Sequence, residues 1–530
     1  MIYAIGAIIS FIIYLLIGLI VSKKVKNVKD YYVSGRNAPT LLIVGSLVAS
    51  YLSTVTFMGD ASFSYEGYGI PQLISSIFEI SGYVIGVLFF GRFLRRSESL
   101  TLPEFFGERF QSKAIRRVAA LTLIIGITAY LVAVMQGAGV LLSQITGIGY
   151  TGSLIIATFV FTAITFFSGA KGVLVTDTLM FLVFSLATFI SIPYILNAAG
   201  GVPDALINAS QLEDKAGMMN WHGIVGEEAY MGSPLSVLLW TTIIGFVWGS
   251  VIAVSPWQTS RYLMAKNEHV AVRSAVIAAI VVAVIYLFFH ITMITVNVVN
   301  PDVQPIESVF IWSAINLVPK WVGVIAISGI LAAALSTAST FLQLIGNSVS
   351  WDLIQSSSLS DKKLLRLSRY VVLAVAGISF LITLWQPPAI FWISVFAATL
   401  FAAAWGPVAF TSVLWKRVTK TGALWSMSMG TAVVALTELL NSLKILNLPV
   451  YLNSAVFGGV SSIIALIVGS LFTIPSKEEE DFRRKLLKLP KEEQNLKEIN
   501  RTKKMPGLLF ISGAFIILIT FFFYYMPLYS

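Results

Sequence analysis

Residues 328–347 read SGILAAALSTASTFLQLIGN. These 20 uncharged residues match the roughly 20 that carry an α-helix across a hydrocarbon layer about 30 Å thick. Yet the middle of the run is crowded with hydroxyls: Ser336, Thr337, Ser339 and Thr340 fall within about one helical turn. Positions three and four apart share a helix face, so Ala333, Ser336, Thr337 and Thr340 line one stripe, with Ser339 beside it. Hydroxyl and carbonyl oxygens are hard, neutral ligands suited to an alkali cation. No amine or guanidinium is expected on the stripe to take the cation's place. Interhelical Ser/Thr packing is the other reading of the same residues.

Outward from this run the pattern repeats. The chain has 530 residues, 57% of them apolar and 12% charged, about half the charged share of a soluble globular protein. Reading for membrane length gives fourteen spans, at about 2–22, 40–62, 70–94, 118–144, 151–170, 172–197, 234–256, 273–298, 320–347, 369–386, 389–415, 421–443, 452–473 and 507–525. The first is too long for a signal-peptide core, and Lys-rich sequence follows rather than precedes it, so it is expected to stay as a helix. With no cysteine, disulfides, zinc-thiolate sites and iron–sulfur clusters are excluded.

The formal charge of +10 has its cause in membrane orientation, and no nucleic-acid partner is expected. Every second loop is basic. The first carries Lys23, Lys24, Lys26, Lys29 and Arg36; the third carries Arg95, Arg96, Arg109, Lys113, Arg116 and Arg117. Later ones carry Lys171, then Arg261 and Lys266, then Lys362, Lys363, Arg366 and Arg369, then Lys416, Arg417 and Lys420. The loop at 199–233 is acidic instead. This places the basic loops in the cytoplasm and both termini outside the cell membrane. The charged stretch 474–506 is then cytoplasmic, and reads either as an amphipathic helix on the membrane surface or as a solvated linker.

Polar groups inside spans are expensive in hydrocarbon and therefore informative. Residues 45–69, GSLVASYLSTVTFMGDASFSYEGYG, interrupt the second span with hydroxyls, Asp60 and glycines. Such a segment either unwinds at midplane to offer carbonyls to a cation, or packs through its small residues. Asp177 near the start of the sixth span needs a cation, Lys171 or a hydroxyl as partner, unless it caps the helix. Glu79 lies mid-span, where capping cannot explain it. Glu438 sits in a less polar run, and His290 reads as structural. Walker A, HExxH and nucleophile-elbow patterns are missing, and no catalytic dyad is visible, so an enzyme is not expected.

Five strings in order, ASYLSTVTFMG (49–59), LVTDT (174–178), SPWQTSRYL (255–263), ILAAALSTAST (330–340) and SVLWKRVTKTGAL (412–424), resemble the sodium:solute symporter family. The resemblance runs over about residues 28–445, and LITLWQPPAIFWISVFA (381–397) looks most like the pantothenate and proline branch. It implies an all-α polytopic membrane protein with a leucine-transporter-like core of two five-helix units in inverted topology. The corresponding division is a first helix and loop (1–39), a first repeat (40–198), an extracellular loop (199–233), a second repeat (234–415), two peripheral helices (416–473), the charged segment (474–506) and a last helix (507–530). The resemblance implies a main sodium site of Ala49, Leu52 and Ala333 carbonyls with Ser336 and Thr337 hydroxyls. It implies a second sodium site of Asp177, Ser336, Ser339 and Thr340, so that two sodium ions bind. Thr56, Glu79 and Trp248 are placed at the solute. Val55 replaces a polar group of the sugar carriers, which disfavours sugar.

The expected function is sodium-coupled import of a small organic solute, an amino acid such as proline or a carboxylate such as pantothenate or a short monocarboxylate. Sodium serves as the coupling ion and no cofactor is expected. Two alternatives stay open: proton coupling through Asp177 or Glu79, and a sodium-dependent sensor or channel on the same scaffold. Oligomeric state is not fixed by the sequence.

Overall fold

The computed structural model describes residues 2–23, 25–354, 360–385 and 390–529, with only the backbone of Ser168, Phe391 and Glu492. Lys24 of the first basic loop and the 386–389 part of the 381–397 stretch lie outside the described residues. Among the described residues, 13 helices are long and apolar enough to cross a membrane. The sequence reading gives fourteen spans, and the difference lies in one place. The second span is broken. Thr40–Tyr51 is helical, Leu52 is extended (φ −75°, ψ 107°), and helical structure resumes at Val55. The first half is too short to count alone, while the second continues through a kink at Gly67 (φ 104°) into Gly69–Gly86. Only glycine takes that φ without steric cost.

Local chemistry explains the break. The hydroxyl of Ser53 accepts the Val55 amide at 3.1 Å, a bond that competes with the helical ladder. The next amides, of Thr56 and Phe57, donate to Ser53 O at 3.1 and 3.2 Å. A second break falls in the seventh span, where Pro234–Val254 stops at Ser255 (φ −61°, ψ 149°) and Pro256–Met264 begins afresh. Pro256 has no N–H to continue the ladder and pushes its predecessor out of the α region. The two breaks thus fall in the first helix of each expected five-helix unit.

The hydroxyl-rich run lies in Lys320–Ser348, the hub of the molecule, packed against Tyr150–Ala198, Lys113–Thr146, Thr40–Tyr51 and Ile2–Ser22. Helices approach most closely where glycines meet. A Cβ on Gly82 would lie 2.1 Å from Gly249 O, and one on Gly86 2.5 Å from the Ala253 Cα. Gly69–Gly86 and Pro234–Val254 therefore touch backbone to backbone, which sets Glu79 and Trp248 side by side.

The basic loops gather at one end of the bundle. Arg116 Nε pairs with buried Asp352 at 2.8 Å, Lys171 with Asp30 at 3.3 Å, and Arg96 with Glu268. The charged segment folds onto this end as two α-helices, Lys477–Leu487 and Leu496–Thr502, with a 3-10 turn at Lys491–Gln494 between them, rather than running free. Leu486 is fully buried, Arg96 donates to its carbonyl at 2.8 Å, Arg483 Nε donates to Val413 O at 2.8 Å, and Arg273 pairs with Glu498 at 2.5 Å. The segment is a strap that touches loops from both expected repeats.

Candidate functional site

Two clusters sit where the broken second span meets the hydroxyl stripe. In the first, unwinding at Leu52 frees carbonyls of the 49–52 turn from helical bonding and sets them beside Lys320–Ser348. Thr337 Oγ1 donates to Ala49 O at 3.4 Å, and Ala49, Leu52, Ala333, Ser336 and Thr337 are all fully buried. The cluster brings hard, neutral oxygens together, the ligand type that alkali cations take.

The second cluster is built on Asp177. Ser46 Oγ donates to Asp177 Oδ2 at 2.5 Å, and Ser336 Oγ donates to Oδ1 at 2.7 Å. Arg261 Nη2 donates to Asp177 Oδ2 at 3.0 Å and to Thr340 Oγ1 at 2.6 Å, while its Nε donates to Ser46 Oγ at 2.9 Å. The sequence reading counts Arg261 among loop charges and leaves the stripe without a guanidinium. The structure corrects both points: Arg261 is 1% exposed, and its guanidinium is bonded to the stripe. The reason is the break at Ser255: the short helix Pro256–Met264 that restarts there is buried throughout, so a long side chain on it lies in the bundle interior. Ser339 stands apart from this cluster, its hydroxyl donating to Ser336 O at 3.1 Å. Asp177 lies two turns beyond the kink at Gly169 (φ 54°, ψ −162°), so helix capping does not explain it.

Thr56, Glu79 and Trp248 line one cavity, as the sequence reading groups them, together with Tyr51, Val55, Asp60, Gln72, Tyr130 and Tyr286. Its volume is only about 10 Å³, near what a single water needs, so the walls are closed on one another. Tyr51 bridges them: its hydroxyl donates to Glu79 Oε2 at 2.7 Å, and its ring meets those of Trp248 and Tyr286 edge-on or tilted at 6.2 and 6.0 Å. A separate cavity of about 350 Å³ is lined by Phe63, Glu66, Lys215, Tyr230 and Trp392, among others. Phe63, one of its lining residues, stacks on Tyr68 at 4.9 Å and packs against Trp240 at 5.2 Å. Glu438 belongs elsewhere, accepting the Ser454 hydroxyl at 2.5 Å, and His290 Nδ1 bonds Ser64 Oγ at 2.7 Å.

Sequence reasoning missed Arg261, Gln72, Tyr130 and Tyr286, and it named Asp60 only as an interruption of the second span. For Asp60 the signal was present, a carboxylate in a broken span. Nothing in the linear sequence marks the tyrosines, which are ordinary residues of apolar helices.

The model of the sodium:solute symporter family matches residues 31–430. The chain belongs to the sodium:solute symporter family. Membership makes it a sodium-coupled solute transporter of the membrane and not an enzyme. Among relatives, the sodium/pantothenate symporter of Escherichia coli is 23% identical, over 78% of this chain and 85% of its own. The sodium/proline symporter of Escherichia coli is 25% identical, over 87% and 93%. The high-affinity proline transporter PutP of Bacillus subtilis is 27% identical, over 79% and 89%. A Na+-coupled sialic acid symporter solved in a substrate-bound outward-open state superposes with a TM-score of 0.75 at 19% identity, covering 90% of this chain and 99% of that one. Mhp1, a nucleobase-cation-symport-1 transporter in a closed conformation, gives 0.58 at 13% identity, covering 85% and 98%. Both likenesses show the fold, a leucine-transporter-like all-helical bundle.

Proposed function

We propose that this symporter binds sodium between the Ala49 and Leu52 carbonyls, the Ala333 carbonyl and the Ser336 and Thr337 hydroxyls, and its solute in the cavity of Thr56, Glu79 and Trp248. The observation that carries this reading is the break at Leu52 facing the buried hydroxyls of Ser336 and Thr337. Sodium bound there joins the second span to the Ser/Thr helix, which holds the adjacent cavity in its solute-accepting shape. By reciprocity, solute raises sodium affinity by the same factor. With the basic end in the cytoplasm and both termini outside, a potential of ~100 mV supplies about 2.3 kcal/mol per sodium, enough for roughly 40-fold accumulation before any concentration term.

The Asp177 cluster holds a guanidinium in this conformation, so a second sodium among Asp177, Ser336, Ser339 and Thr340 requires Arg261 to withdraw. Electrostatics favours one sodium per cycle, with Arg261 as the resident cation of the second position. The relatives' solutes bring amino acids and carboxylates forward as candidates, and Glu79 at the cavity wall favours those that bear an amine. Proton coupling is the competing reading. Because Arg261 already satisfies Asp177, protons would have to use Glu79 or Asp60.

The test is uptake of a labelled solute panel into proteoliposomes under an inward sodium gradient or an equal potassium gradient, for wild type and Thr337→Ala. Uptake that needs sodium and weakens in the variant supports the assignment. Acid-driven uptake indifferent to sodium and to Thr337 overturns it in favour of protons.

A further inference from the structure

Two carboxylates and an amide oxygen line the polar part of the central cavity. Glu79 contributes two carboxylate oxygens, one accepting from Tyr51 at 2.7 Å and the other from Ser75 at 2.8 Å. Asp60 contributes another carboxylate, whose Oδ2 accepts from the Tyr286 hydroxyl at 3.3 Å. Gln72 is 5% exposed, lines the same space, and its Oε1 is buried without a hydrogen-bond partner. No Lys, Arg or His lines the cavity among the described residues. Two carboxylates share a nearly closed cavity inside the bundle, with only hydroxyls as partners. A carboxylate charge in such a place is costly to bury unless a counter-charge is supplied.

The remaining walls are aromatic. Tyr51, Trp248 and Tyr130 form a chain of edge contacts at 6.2 and 6.3 Å, and Tyr286 leans on Tyr51 at 6.0 Å. Ring faces attract cations, and they do so most strongly where water is excluded. Sodium alone would leave the rings without a role and the Gln72 oxygen unmet, since hard cations take oxygen ligands. A protonated nitrogen meets all three needs. It neutralises the carboxylates, donates to the Gln72 oxygen, and lays its C–H surface on the rings. A carboxylate on the same solute would be a third like charge beside Asp60 and Glu79, with only neutral hydroxyl, amide and indole donors to set against it.

We propose that the solute is an organic cation, a protonated amine or guanidinium with no carboxylate of its own, held by Asp60 and Glu79 inside the tyrosine–tryptophan wall. This rests on the reading of the cavity as the solute site. Asp60 and Gln72 thereby become specificity residues beside Glu79, and the candidates brought forward by the relatives are narrowed: the amine is kept, and solutes that also carry a carboxylate, amino acids and pantothenate among them, are disfavoured.

The experiment uses the full chain in proteoliposomes with labelled putrescine, agmatine and tetramethylammonium, against proline and pantothenate. Potassium replaces sodium in the control arm, because the common replacement, choline, is itself an organic cation. The expected result is saturable uptake of at least one named cation, not competed by proline or pantothenate. Glu79→Gln and Asp60→Asn should each raise its half-saturating concentration tenfold or more. Binding of the same cations to detergent-purified wild type, followed as a rise in melting temperature, keeps the test independent of whether those variants fold. Failure of all three cations to bind or enter at millimolar concentration overturns the proposal, as does sodium-driven uptake of proline or pantothenate that the cations do not inhibit. Cation uptake equal in the sodium and potassium arms leaves the cation proposal standing and sinks the sodium-symport reading, so the two fail separately.

Discussion

Arg261 Nη2 lies 3.0 Å from Asp177 Oδ2, with the two side chains 1% and 0% exposed. The pair links Pro256–Met264 to Gly169–Ala198, and through Ser46, Ser336 and Thr340 it reaches the broken span and the Ser/Thr helix as well. Removing one partner of a buried ion pair strands the other charge. Arg261→Met should therefore lower the unfolding free energy by about 3–5 kcal/mol. The double variant Arg261→Met/Asp177→Leu should recover a large part of that loss. Melting curves of the purified single and double variants in one detergent give the cycle; additive losses would show that the pair does not act as a unit.

If Arg261 is the standing cation at the second position, one sodium should accompany each solute. Sodium and solute fluxes measured together in the same vesicles read this ratio. A ratio of two in wild type would mean that Arg261 leaves Asp177 during the cycle.

Thr337 donates to Ala49 O and is a proposed ligand of the main sodium. Thr337→Ala should raise the sodium concentration for half-maximal uptake about tenfold, in line with the ~1.5–3 kcal/mol of a bond to a charged group. Thr337→Ser keeps the oxygen and should stay near wild type. Sodium titration of uptake separates this from a general loss of fold, which would lower the maximal rate in both variants.

Gly82→Ala places a methyl 2.1 Å from Gly249 O, a backbone atom that cannot rotate away. The helices carrying Glu79 and Trp248 must part, at about 1–3 kcal/mol of stability, and solute half-saturation should worsen with it. Gly507→Ala, with nothing within 4 Å of its added carbon, serves as the control. Melting temperature and uptake measured on both variants decide the matter.

Burial pushes the carboxyl of Glu493 in the strap above the ordinary Glu range, with Glu268 nearby acting in the same direction. Opposing shifts come from the bond to the Glu268 amide and from Arg95 and His269. A raised acid pKa means that the folded strap holds a proton which the detached strap gives up. Attachment is therefore tightest below about pH 4.5, where both forms are protonated, and weakens as pH rises through the folded value. The protection of Leu496–Thr502 against hydrogen exchange, taken relative to the free-amide rate at each pH, should fall over that window in wild type and stay nearly level in Glu493→Gln.

Much of the fold was legible because transfer into hydrocarbon is a property that residues carry singly. Sums over about 20 residues find the spans, and loop charges alternate without knowledge of any contact. Where the count slipped, at the second span, hydroxyls had marked the interruption, but a run of Ser and Thr does not say whether it will unwind or pack. Only the Ser53–Val55 bond and the extended Leu52 decide that. Thr56, Glu79 and Trp248 were grouped in advance through family resemblance and do line one cavity.

The sequence by itself determined that this chain spans a membrane many times, that Ser336, Thr337 and Thr340 share a helix face, and that it resembles sodium-coupled carriers. Periodicity and hydropathy are local, so they survive in one dimension. The tertiary structure decided where Arg261 goes and which side chains surround the central cavity. Those facts depend on how far a side chain reaches across helices hundreds of residues apart. The Tyr51–Glu79 bond and the Arg261–Asp177 pair exist only because glycine contacts and a proline break set the helix separations and tilts.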